Sequence, residues 1–360
     1  MKQAHAGMPS ICPRDFDLFA GLDVDKHSVA TTVMKHEALV KSMKMPYDPN
    51  AFVQYLAKHF AGKRIALVYE AGPTGFGLYD ALTAAGHTCL VAAPANVPKE
   101  PGRRVKTNRL DSLQLATALR GGTLRGIRVP SPIYRDLRHL AHLRQAHVAQ
   151  ATATKFRIKA LLLSEGLAFP PAPPGSQWTH RVLQTLRTMP CPLTVRFTLD
   201  SLLETLALHQ PQAEKVLGQM LRFCQEDPER SDSLRFLRSA PGVGPGVAVV
   251  LIAHVGDWRG LTCVREMGAF VGLVPCESST GDDVDKGDIT PAGDAYLRSI
   301  LVEAAWAALH QDPELMAFYR RVKRRHPRNR AARIAIVAVA RKLASRLFCL
   351  LKERRCYRYH

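Results

Sequence analysis

The sequence predicts an α/β domain at the N-terminus, a helical arm in the middle and a mainly α-helical domain at the C-terminus. Short apolar runs alternate with helical segments up to about residue 130. Apolar residues then recur every three or four positions through the middle of the chain, on both sides of a proline-rich break. A glycine-rich hairpin and further segments with helical periodicity follow.

The composition predicts a globular protein with a polyanionic partner. The chain has 360 residues, of which 46% are hydrophobic and 22% are charged, so it is long enough for two domains with buried cores. Lys and Arg number 50 against 31 Asp and Glu, and the net charge is +19. This excess indicates nucleic acid as the first expected partner, with an anionic membrane as the alternative.

No membrane-spanning segment or export signal is expected. The sequence has no apolar run of about 18 residues and no signal peptide, so we expect a cytoplasmic protein without a membrane partner. Residues 1–16 are expected to form a flexible leader. The eight cysteines show neither CxxC nor Cys/His ligand spacing, which argues against zinc and a disulfide framework. Cys276 is interpreted as a buried or incidental thiol, with a reactive thiol as the alternative.

Residues 17–130 alternate between short apolar strands and helices, which is typical of an α/β sheet. Phe19–Leu22 form a predicted strand that runs into Asp23, and a turn and a second strand follow. The other predicted elements of this domain are a helix at 49–60, a strand at 64–69, a helix at 77–85 and a strand at 88–92.

Two carboxylates follow predicted strands of this sheet. Asp23 and Glu70 each lie at the end of an apolar run, so neighbouring strands would bring them together. Paired carboxylates hold divalent cations such as Mg²⁺, and such cations assist phosphoryl transfer. The alternative is that both acids only cap turns.

A basic loop leads into the next predicted helix, and both fall within residues 103–120. Asn108 and Asp111 stand three apart there, which places them on one helix face. Four basic side chains surround this pair, namely Arg103, Arg104, Lys106 and Arg109. Their clustering beside acids favours contact with a phosphate backbone, and a solvated surface is the alternative.

Residues 131–232 are expected to form a long helical arm. Helical periodicity runs from Pro130 to Leu167 and resumes from Pro192 to Leu221, with the proline-rich segment 169–175 between. Two long helices joined by such a tip are typical of a coiled-coil-like arm, which would mediate self-association or act as a spacer. The histidines of this region are assigned to the surface and not to a metal: His139, His142 and His147.

The C-terminal domain, residues 233–360, begins with a glycine-rich segment and ends with a basic tail. The segment PGVGPGVA resembles the hairpin of helix-hairpin-helix modules, in which N–H groups at Gly242 and Gly244 would contact DNA phosphates; tight turning is the alternative. In the tail, a basic loop is expected before an amphipathic helix from Arg330 to Leu351.

The basic loop of the tail is the expected footprint for nucleic acid, through Arg324, Arg325 and Arg328, and a membrane-surface helix is the alternative. The apolar face of the tail helix is expected to pack on a helix at 296–309. The residues of that face are Ile334, Ile336, Val337, Val339, Ala340, Leu343 and Leu347.

Three hydroxyl side chains stand together between the hairpin and the tail: Ser278, Ser279 and Thr280. Pro275 and Gly281 bracket them, and the segment is predicted to be neither helix nor strand because turn formers dominate it. Thr290 is expected to N-cap the following helix, Tyr296–Leu309, with Pro291 at the first helical position. The start of that helix would then face the hydroxyls and favour phosphate.

The stretch GLVPCESSTGDDVDKGDITPAGDAYLRSILVEAAW, residues 272–306, resembles the C-terminal domain of the insertion sequence 110 family of transposases. The shared series is GLxP, Ser-Ser/Thr-Gly, IT-x-x-G, LR and LVEAAW, and the resemblance extends over most of the chain. It implies a serine nucleophile at Ser279, with Ser278 as the second candidate.

The same resemblance implies an RNase H-like, RuvC-type fold for the N-terminal domain, with a DEDD set of acids that bind Mg²⁺ or Mn²⁺. Asp23 in the GLDVDK strand, Glu70 at a strand end and Asp111 match this set. Asn108 stands where the family has the first Asp of a DxxD pair, and it offers an oxygen ligand without a charge. Asp25 is a weak substitute, because a turn is expected there.

The function implied by the resemblance is a transposase that cuts and rejoins DNA through a phosphoserine at Ser279, assisted by metal at the acids. The family is thought to use a structured guide RNA and to form oligomers with composite sites. The implied partners are therefore element and target DNA, a guide RNA and further copies in a dimer or tetramer. A prokaryotic, nucleoid-associated protein is also implied. A RuvC-type nuclease that uses water and a non-catalytic nucleic-acid-binding protein are the alternatives.

Overall fold

The structure is a computed structural model that describes residues 9–97, 108–172, 177–256, 258–280, 283–290 and 293–358. For residues 277–280 and 283–286 it describes the backbone alone. The chain divides into two compact units, Met1–Val129 and Pro130–His360. The further boundary that the sequence predicts between residues 232 and 233 falls inside the second unit and stays a prediction.

A five-stranded sheet forms the centre of the first unit. Its strands are β1 (Leu18–Val24), β2 (Ser28–Lys35), β3 (Ala38–Pro46), β4 (Ile65–Glu70) and β5 (Thr88–Ala92). They lie in the order β3-β2-β1-β4-β5. Strands β1, β2 and β3 are antiparallel neighbours, whereas β1, β4 and β5 run parallel. The predicted strands are confirmed, and the mixed sheet is compatible with the expected RNase H-like fold.

Strand β3 is not predicted by the sequence pattern. It lies at the edge of the sheet, and most of its residues are exposed or half-buried. Edge strands commonly carry lysines, which discourage pairing with other chains, and β3 contains Lys41 and Lys44. Because only one side of such a strand is covered, no continuous apolar run marks it.

Three helices cover the two faces of this sheet: α1 (Pro49–His59), α2 (Gly77–Ala84) and α3 (Asn108–Arg120). Successive side chains of β1 point to opposite faces. Leu18 and Leu22 join a core with residues of α1 and α2, whereas Phe19 joins a core with residues of α3. Helix α3 therefore lies on the opposite face of the sheet from α1 and α2.

Two side chains of residues 9–16 pack on the first unit, which corrects the prediction of a flexible leader for this part of the chain. Ile11 and Phe16 pack against the core beneath α3. The N–H group of Gly126 donates to the carbonyl oxygen of Pro9 over 2.8 Å. The two apolar side chains explain the difference, because removing them from water stabilises the packed form. Residues 1–8 lie outside the described residues.

Two long helices, α4 (Pro132–Ser164) and α6 (Leu193–Gln225), confirm the predicted helices of the arm. The end of α4 and the start of α6 share one apolar core, so the two helices run antiparallel. A short helix between them, α5 (His180–Thr188), was not predicted. Part of the proline-rich segment, residues 173–175, lies outside the described residues.

The rest of the second unit is a helical bundle with one β-hairpin. Its elements are α7 (Pro228–Arg238), α8 (Pro245–Val255), α9 (Val264–Phe270), β6 (Pro275–Thr280), β7 (Asp283–Ile289), α10 (Ala295–Leu309), α11 (Pro313–Arg324) and α12 (Arg328–Glu353). Helices α8, α10 and α12 share one large core, and α12 packs on α10 as predicted.

Two details of the tail differ from the prediction. Ile334 is exposed, because it lies beside the buried stripe of α12 that Ala331 and Ala335 begin. The basic residues do not form one long loop, because α11 continues to Arg324 and only residues 325–327 separate it from α12. Within the described ranges we find no helix that is both long enough and apolar enough to span a membrane.

Candidate active site

Asp23 and Glu70 lie at the ends of two neighbouring strands, as predicted. Asp23 is the penultimate residue of β1, and Glu70 is the last residue of β4. The two strands pair in parallel with Leu22 beside Tyr69, so the acids that follow belong to the same edge of the sheet. Asp23 is half-buried and Glu70 is exposed.

Helix α3 brings Asp111 to this edge. Gly21 of β1 lies so close to the helix that a Cβ atom there would be 2.0 Å from the carbonyl oxygen of Ser112. The hydroxyl oxygens of Thr32 and Ser112 are 2.8 Å apart in a buried hydrogen bond that joins β2 to the same turn. Because Asp111 lies in the first turn of α3, these contacts hold it close to β1.

The pKa of Asp23 shows that several acids share one neighbourhood. Burial of the carboxyl raises its pKa above the usual 3.8, and the negative charge of Asp111 raises it further. Asp25 and Glu70 act in the same direction with smaller effects, and the positive charge of Lys44 opposes them. The carboxylates are therefore close enough to repel one another, which is the condition that a bound cation relieves.

Asp25 lies in the turn between β1 and β2, as predicted, and its carboxylate is held there by several donors. Oδ1 accepts hydrogen bonds from the backbone N–H groups of His27 and Ser28 over 2.6 Å and 2.8 Å. The hydroxyl of Ser28 donates to Oδ2 over 2.7 Å, and these hydrogen bonds lower the pKa of Asp25 to about 2. Nδ2 of Asn108 lies 3.4 Å from the same Oδ2 atom.

The donor set fits a divalent cation in its chemistry. Carboxylate and amide oxygens are the ligands that Mg²⁺ and Mn²⁺ prefer. Among the residues that the structure describes, no three acid, His or Cys side chains are close enough to form a coordination group. The structure therefore brings Asp23, Glu70 and Asp111 into one neighbourhood without closing a shell around an ion.

The three hydroxyls lie on a β-strand, which corrects the prediction that this segment is neither helix nor strand. Strand β6 pairs with β7 in an antiparallel hairpin, and Ser279 stands opposite Val284. Pairing with β7 satisfies the backbone and overrides the local preference of serine for turns. Ser279 lies near the end of the hairpin that is distant from α10, because roughly 15 Å of strand separates it from Val274.

The other end of the hairpin is attached to α10. The N–H group of Thr290 donates to the carbonyl oxygen of Val274 over 3.0 Å. Arg298 of α10 donates through Nη1 to the carbonyl oxygens of Gly272 and Thr290 over 3.2 Å and 3.4 Å. A Cβ atom at Gly293 would lie 2.5 Å from the backbone nitrogen of Gly272, so this glycine is required for the close approach.

The first turn of α10 is capped by Asp294 and not by Thr290, which corrects the predicted start of this helix. Oδ1 of Asp294 accepts from the N–H groups of Tyr296 and Leu297 over 2.8 Å and 3.1 Å. Pro291 lies outside the described residues. Because Asp294 occupies these N–H groups, the prediction that the helix start receives a phosphate beside the hydroxyls is not supported.

Asp294 also binds His254, a contact that the sequence pattern does not reveal. Nδ1 of His254 lies 2.5 Å from Oδ2 of Asp294, and the histidine is 2% exposed. Burial alone would raise the pKa of Asp294, but its hydrogen bonds to His254, Leu297 and Tyr296 lower it to about 2. The only local signal is an aspartate just before an apolar helical run, because forty residues separate the partners.

The glycine-rich segment forms the short connection between α7 and α8. Gly242 has φ +73°, and a Cβ atom there would lie 2.2 Å from the carbonyl oxygen of Ala304 in α10. The N–H group of Gly242 donates to Oε1 of Gln311 over 2.9 Å, whereas Gly244 is exposed at the N-cap of α8. Of the two glycines, Gly244 is the one whose surroundings are open to a phosphate.

Four of the basic residues predicted to contact nucleic acid are exposed. Arg109 lies in the first turn of α3, and Arg324, Arg325 and Arg328 surround the junction of α11 and α12. We call these last three residues the basic corner. The other predicted basic residues lie outside the described residues: Arg103, Arg104 and Lys106.

Carboxylates at the edge of a mixed sheet, together with a basic helical unit, are typical of enzymes that act on nucleic-acid phosphates. Two protein families match this chain. Residues 20–165 match a transposase family with a DEDD domain, and residues 234–320 match the family described as Transposase IS116/IS110/IS902. The two ranges together cover more than half of the chain. Both matches are to transposases of the IS110 type, so the protein belongs to the IS110 family of transposases, which are enzymes that cut and join DNA.

Individual relatives match along most of the chain. A Sinorhizobium fredii protein whose name describes it as a transposase, y4qE, is 29% identical over 94% of this chain and 90% of its own length. A Pseudomonas aeruginosa protein described as a family 20 transposase is 28% identical over 76% of this chain and 80% of its own. The 43.6 kDa protein of insertion element IS110 from Streptomyces coelicolor is 24% identical, covering 94% and 95% of the two chains.

Membership of the family bears on the metal. A DEDD transposase domain suggests dependence on a divalent metal, in agreement with the oxygen donors that the first unit gathers. Asp23, Glu70, Asn108 and Asp111 all fall within the matched residues 20–165, and the hydroxyl run falls within residues 234–320.

Proposed function

We propose that this transposase cuts and rejoins DNA through a covalent phosphoserine at Ser279. Asp23, Glu70 and Asp111 hold a divalent cation, Mg²⁺ in the first place and Mn²⁺ as a substitute. Asn108 contributes an uncharged oxygen to the same site. The observation that carries the proposal is the position of Ser279 on β6, near the end of a hairpin whose other end is tied to α10. A serine placed there can approach a phosphate on a bulky duplex.

The proposed step is a transesterification. The Oγ atom of Ser279 forms a bond to the phosphorus of a DNA phosphodiester while one P–O bond to a deoxyribose breaks. The serine gives up its proton to water, and the leaving sugar oxygen takes one up from water. A divalent cation supplies stabilisation of the charge on the phosphate oxygens. A hydroxyl of a second DNA end then attacks the phosphoserine, which restores the serine and joins the strands.

DNA and a structured RNA are the proposed partners. The net charge of +19 supports a polyanionic partner, and the basic corner and the exposed helix start at Gly244 are suitable for phosphates. The sequence contains no base-reading motif, and the family resemblance suggests the RNA: pairing would select the sequence while the protein holds the backbone. Gly242 is a weaker phosphate contact than Gly244, because Gln311 occupies its N–H group.

The test is a search for the covalent adduct. Purified protein is incubated with Mg²⁺, end-labelled element-junction DNA and the RNA encoded beside the element, and the products are separated under denaturing conditions. We expect a protein–DNA adduct in wild type and in Ser278→Ala, and none in Ser279→Ala. Ser278→Ala is the matched control because it removes the neighbouring hydroxyl and leaves Ser279 in place. Loss of the adduct in Ser278→Ala alone would move the nucleophile to Ser278.

Two other outcomes would replace the proposal. Cleavage without an adduct in wild type and in Ser279→Ala would identify a hydrolytic nuclease that drives water onto the phosphate. DNA binding without cleavage in wild type would identify a non-catalytic nucleic-acid-binding protein. Asp23→Asn separates these further, because it should abolish cleavage by either enzyme and leave binding in place.

The proposed oligomer, a dimer or tetramer, can be tested by mixing inactive variants. If one copy supplies the acids and another supplies the serine, Ser279→Ala and Asp23→Asn proteins should restore part of the activity when combined. If each chain uses its own groups, the mixture should stay inactive. Light scattering after size-exclusion chromatography gives the number of subunits in the same samples.

A further inference from the structure

We propose that Asp25 is a positioning residue of the metal site, which orients the amide of Asn108 and supplies the negative charge that Asn108 lacks. The inference rests on the proposed function of the acids. It assigns to the β1–β2 turn a task that the family pattern assigns to a carboxylate on α3.

Asn108 and Asp25 meet although 83 residues of sequence separate them. Nδ2 of Asn108 lies 3.4 Å from Oδ2 of Asp25. A carboxylate accepts hydrogen bonds and repels an amide oxygen, so the NH₂ group of Asn108 must be the end that turns towards Asp25. The carbonyl oxygen of the amide then points away from Asp25 and is available as a metal ligand. Without such a partner, the asparagine could turn either its carbonyl oxygen or its NH₂ group towards the metal.

The carboxylate of Asp25 is held rigidly. It accepts two backbone N–H groups and the hydroxyl of Ser28, with all three distances between 2.6 Å and 2.8 Å. A side chain held by three donors has little freedom to rotate. It can therefore orient a partner in the way that outer groups orient the ligands of metal sites.

The charge of Asp25 belongs to the same acidic neighbourhood. Asp25 acts on Asp23 in the same direction as Asp111 and Glu70, so the neighbourhood still contains four carboxylates although α3 carries an amide at position 108. A second carboxylate at that position would stand beside Oδ2 of Asp25 and be repelled by it. Asn108 and Asp25 therefore act as a pair: Asn108 supplies the oxygen ligand, and Asp25 supplies the negative charge that the amide lacks.

The pair predicts the direction in which each substitution changes Mn²⁺ affinity. Asp25→Asn keeps the shape of the turn but removes the charge, and it should weaken Mn²⁺ binding by about tenfold, the effect typical of outer partners of metal ligands. Asn108→Asp alone should not tighten Mn²⁺ binding, because the new carboxylate is repelled by Asp25. Asp25→Asn weakens Mn²⁺ binding when residue 108 is Asn. When residue 108 is Asp, the same substitution should strengthen Mn²⁺ binding, because it removes the repulsion between the two carboxylates.

The experiment measures Mn²⁺ affinity of the full-length protein by the electron paramagnetic resonance signal of the free ion, for wild type, both single variants and the double variant. Asp48→Asn is the matched control, because Asp48 caps α1 in the same unit with two N–H bonds and its charge is not among those that shift Asp23. We expect Asp48→Asn to leave the affinity unchanged. Thermal unfolding without metal checks that each variant is folded.

Either of two results would overturn the inference. One is unchanged Mn²⁺ affinity in Asp25→Asn, and the other is tighter binding in Asn108→Asp while Asp25 is present. If Asp25→Asn does not fold, the Asn108→Asp result still decides, because that substitution leaves the turn intact. Failure of the proposed function looks different: wild type would then bind no Mn²⁺, or Asp23→Asn would bind it as well as wild type does.

Discussion

Nδ1 of His254 lies 2.5 Å from Oδ2 of Asp294, and this pair joins the end of α8 to the start of α10. Asp294 caps α10 with its other oxygen and follows Gly293, which packs closely on Gly272 at the base of the hairpin. Arg138 of α4 donates to the carbonyl oxygens of Ala253 and His254 and so fixes the same helix end. The base of the hairpin that carries Ser279 is therefore set by a buried polar contact.

Asp294→Ala should destabilise the second unit by about 2–4 kcal/mol. The loss of an N-cap accounts for about 1 kcal/mol, and a buried His254 nitrogen without an acceptor adds about 1–3 kcal/mol. The measurement is urea unfolding followed by tryptophan fluorescence, because all three tryptophans lie in Pro130–His360. Asp227→Ala is the control, since Asp227 caps α7 with one N–H bond and should cost about 1 kcal/mol. Equal losses in the two variants would show that the His254 contact adds nothing.

The same pair predicts a dependence of stability on pH. The folded-state pKa of Asp294 is about 2, below the usual 3.8, so its contribution is present above about pH 4 and is lost as the pH falls through about 2. We expect the stability difference between wild type and Asp294→Asn to shrink by about 1–2 kcal/mol between about pH 5 and about pH 2. A difference that stays constant over this range would contradict the assigned pKa.

Gly242→Ala should lower the free energy of unfolding far more than Gly→Ala at a position where the added Cβ atom meets no neighbouring atom. A side chain at Gly242 would combine φ +73° with an approach of 2.2 Å to the carbonyl oxygen of Ala304, and we expect a loss of at least about 3 kcal/mol. Gly218→Ala, inside α6 with no atom within 4 Å of the added Cβ, should stabilise by about 0.5–1 kcal/mol. Urea unfolding by fluorescence checks both. A mild effect at Gly242 would refute the close packing on α10.

Gly21→Ala should disturb the acids without changing any of them. A Cβ atom there would lie 2.0 Å from the carbonyl oxygen of Ser112 and 2.4 Å from the nitrogen of Ala116, so α3 must move away from β1. Asp111 and Asn108 move with the helix, and Mn²⁺ affinity should fall by about tenfold or more. Hydrogen exchange of residues 108–120 should increase.

Gly72→Ala is the control for this effect, because its nearest contact would be 3.8 Å. Both variants should be compared by hydrogen exchange and Mn²⁺ titration. Unchanged exchange in α3 together with unchanged Mn²⁺ affinity in Gly21→Ala would show that the helix position does not control the acid neighbourhood.

Neutralising the basic corner should weaken DNA binding in a salt-dependent way. Removing one phosphate-binding arginine lowers the slope of log K against log salt by about 0.9, so replacing Arg324, Arg325 and Arg328 by Gln should lower it by up to about 2.7. Fluorescence anisotropy with labelled DNA at several salt concentrations measures the slope. Arg196→Gln is the control, because Arg196 is already paired with Asp200 on the arm through two hydrogen bonds. Equal slopes in wild type and the triple variant would remove the corner from the interface.

Much of the fold could be predicted because its signals are local. The strands that contain Leu18, Leu67 and Leu90 are runs of buried apolar residues, and the long helices α4 and α6 repeat apolar positions at helical spacing. The acids could be found for the same reason, since Asp23 and Glu70 directly follow such runs. Edge strand β3 lacked this signal, because only one of its sides is covered.

The hairpin around Ser279 could not be predicted from its own residues. Serine, glycine and aspartate dominate this segment and locally favour turns, yet pairing of β6 with β7 makes it a sheet. The start of α10 was misplaced for a related reason. Thr290 and Asp294 are both acceptable caps in sequence, and the contact of Asp294 with a histidine forty residues earlier is what distinguishes them.

The sequence by itself determined most strands and helices of the first unit, the two long helices, the strand-end acids, the excess of positive charge and the family resemblance, because each depends on residue type and short-range spacing. Only the tertiary structure decided that Gly242 packs on α10, that His254 holds Asp294, and that the amide of Asn108 meets Asp25. Contacts of this kind join residues tens of positions apart. They depend on how the elements pack, and packing is a property of the whole core that no local pattern contains.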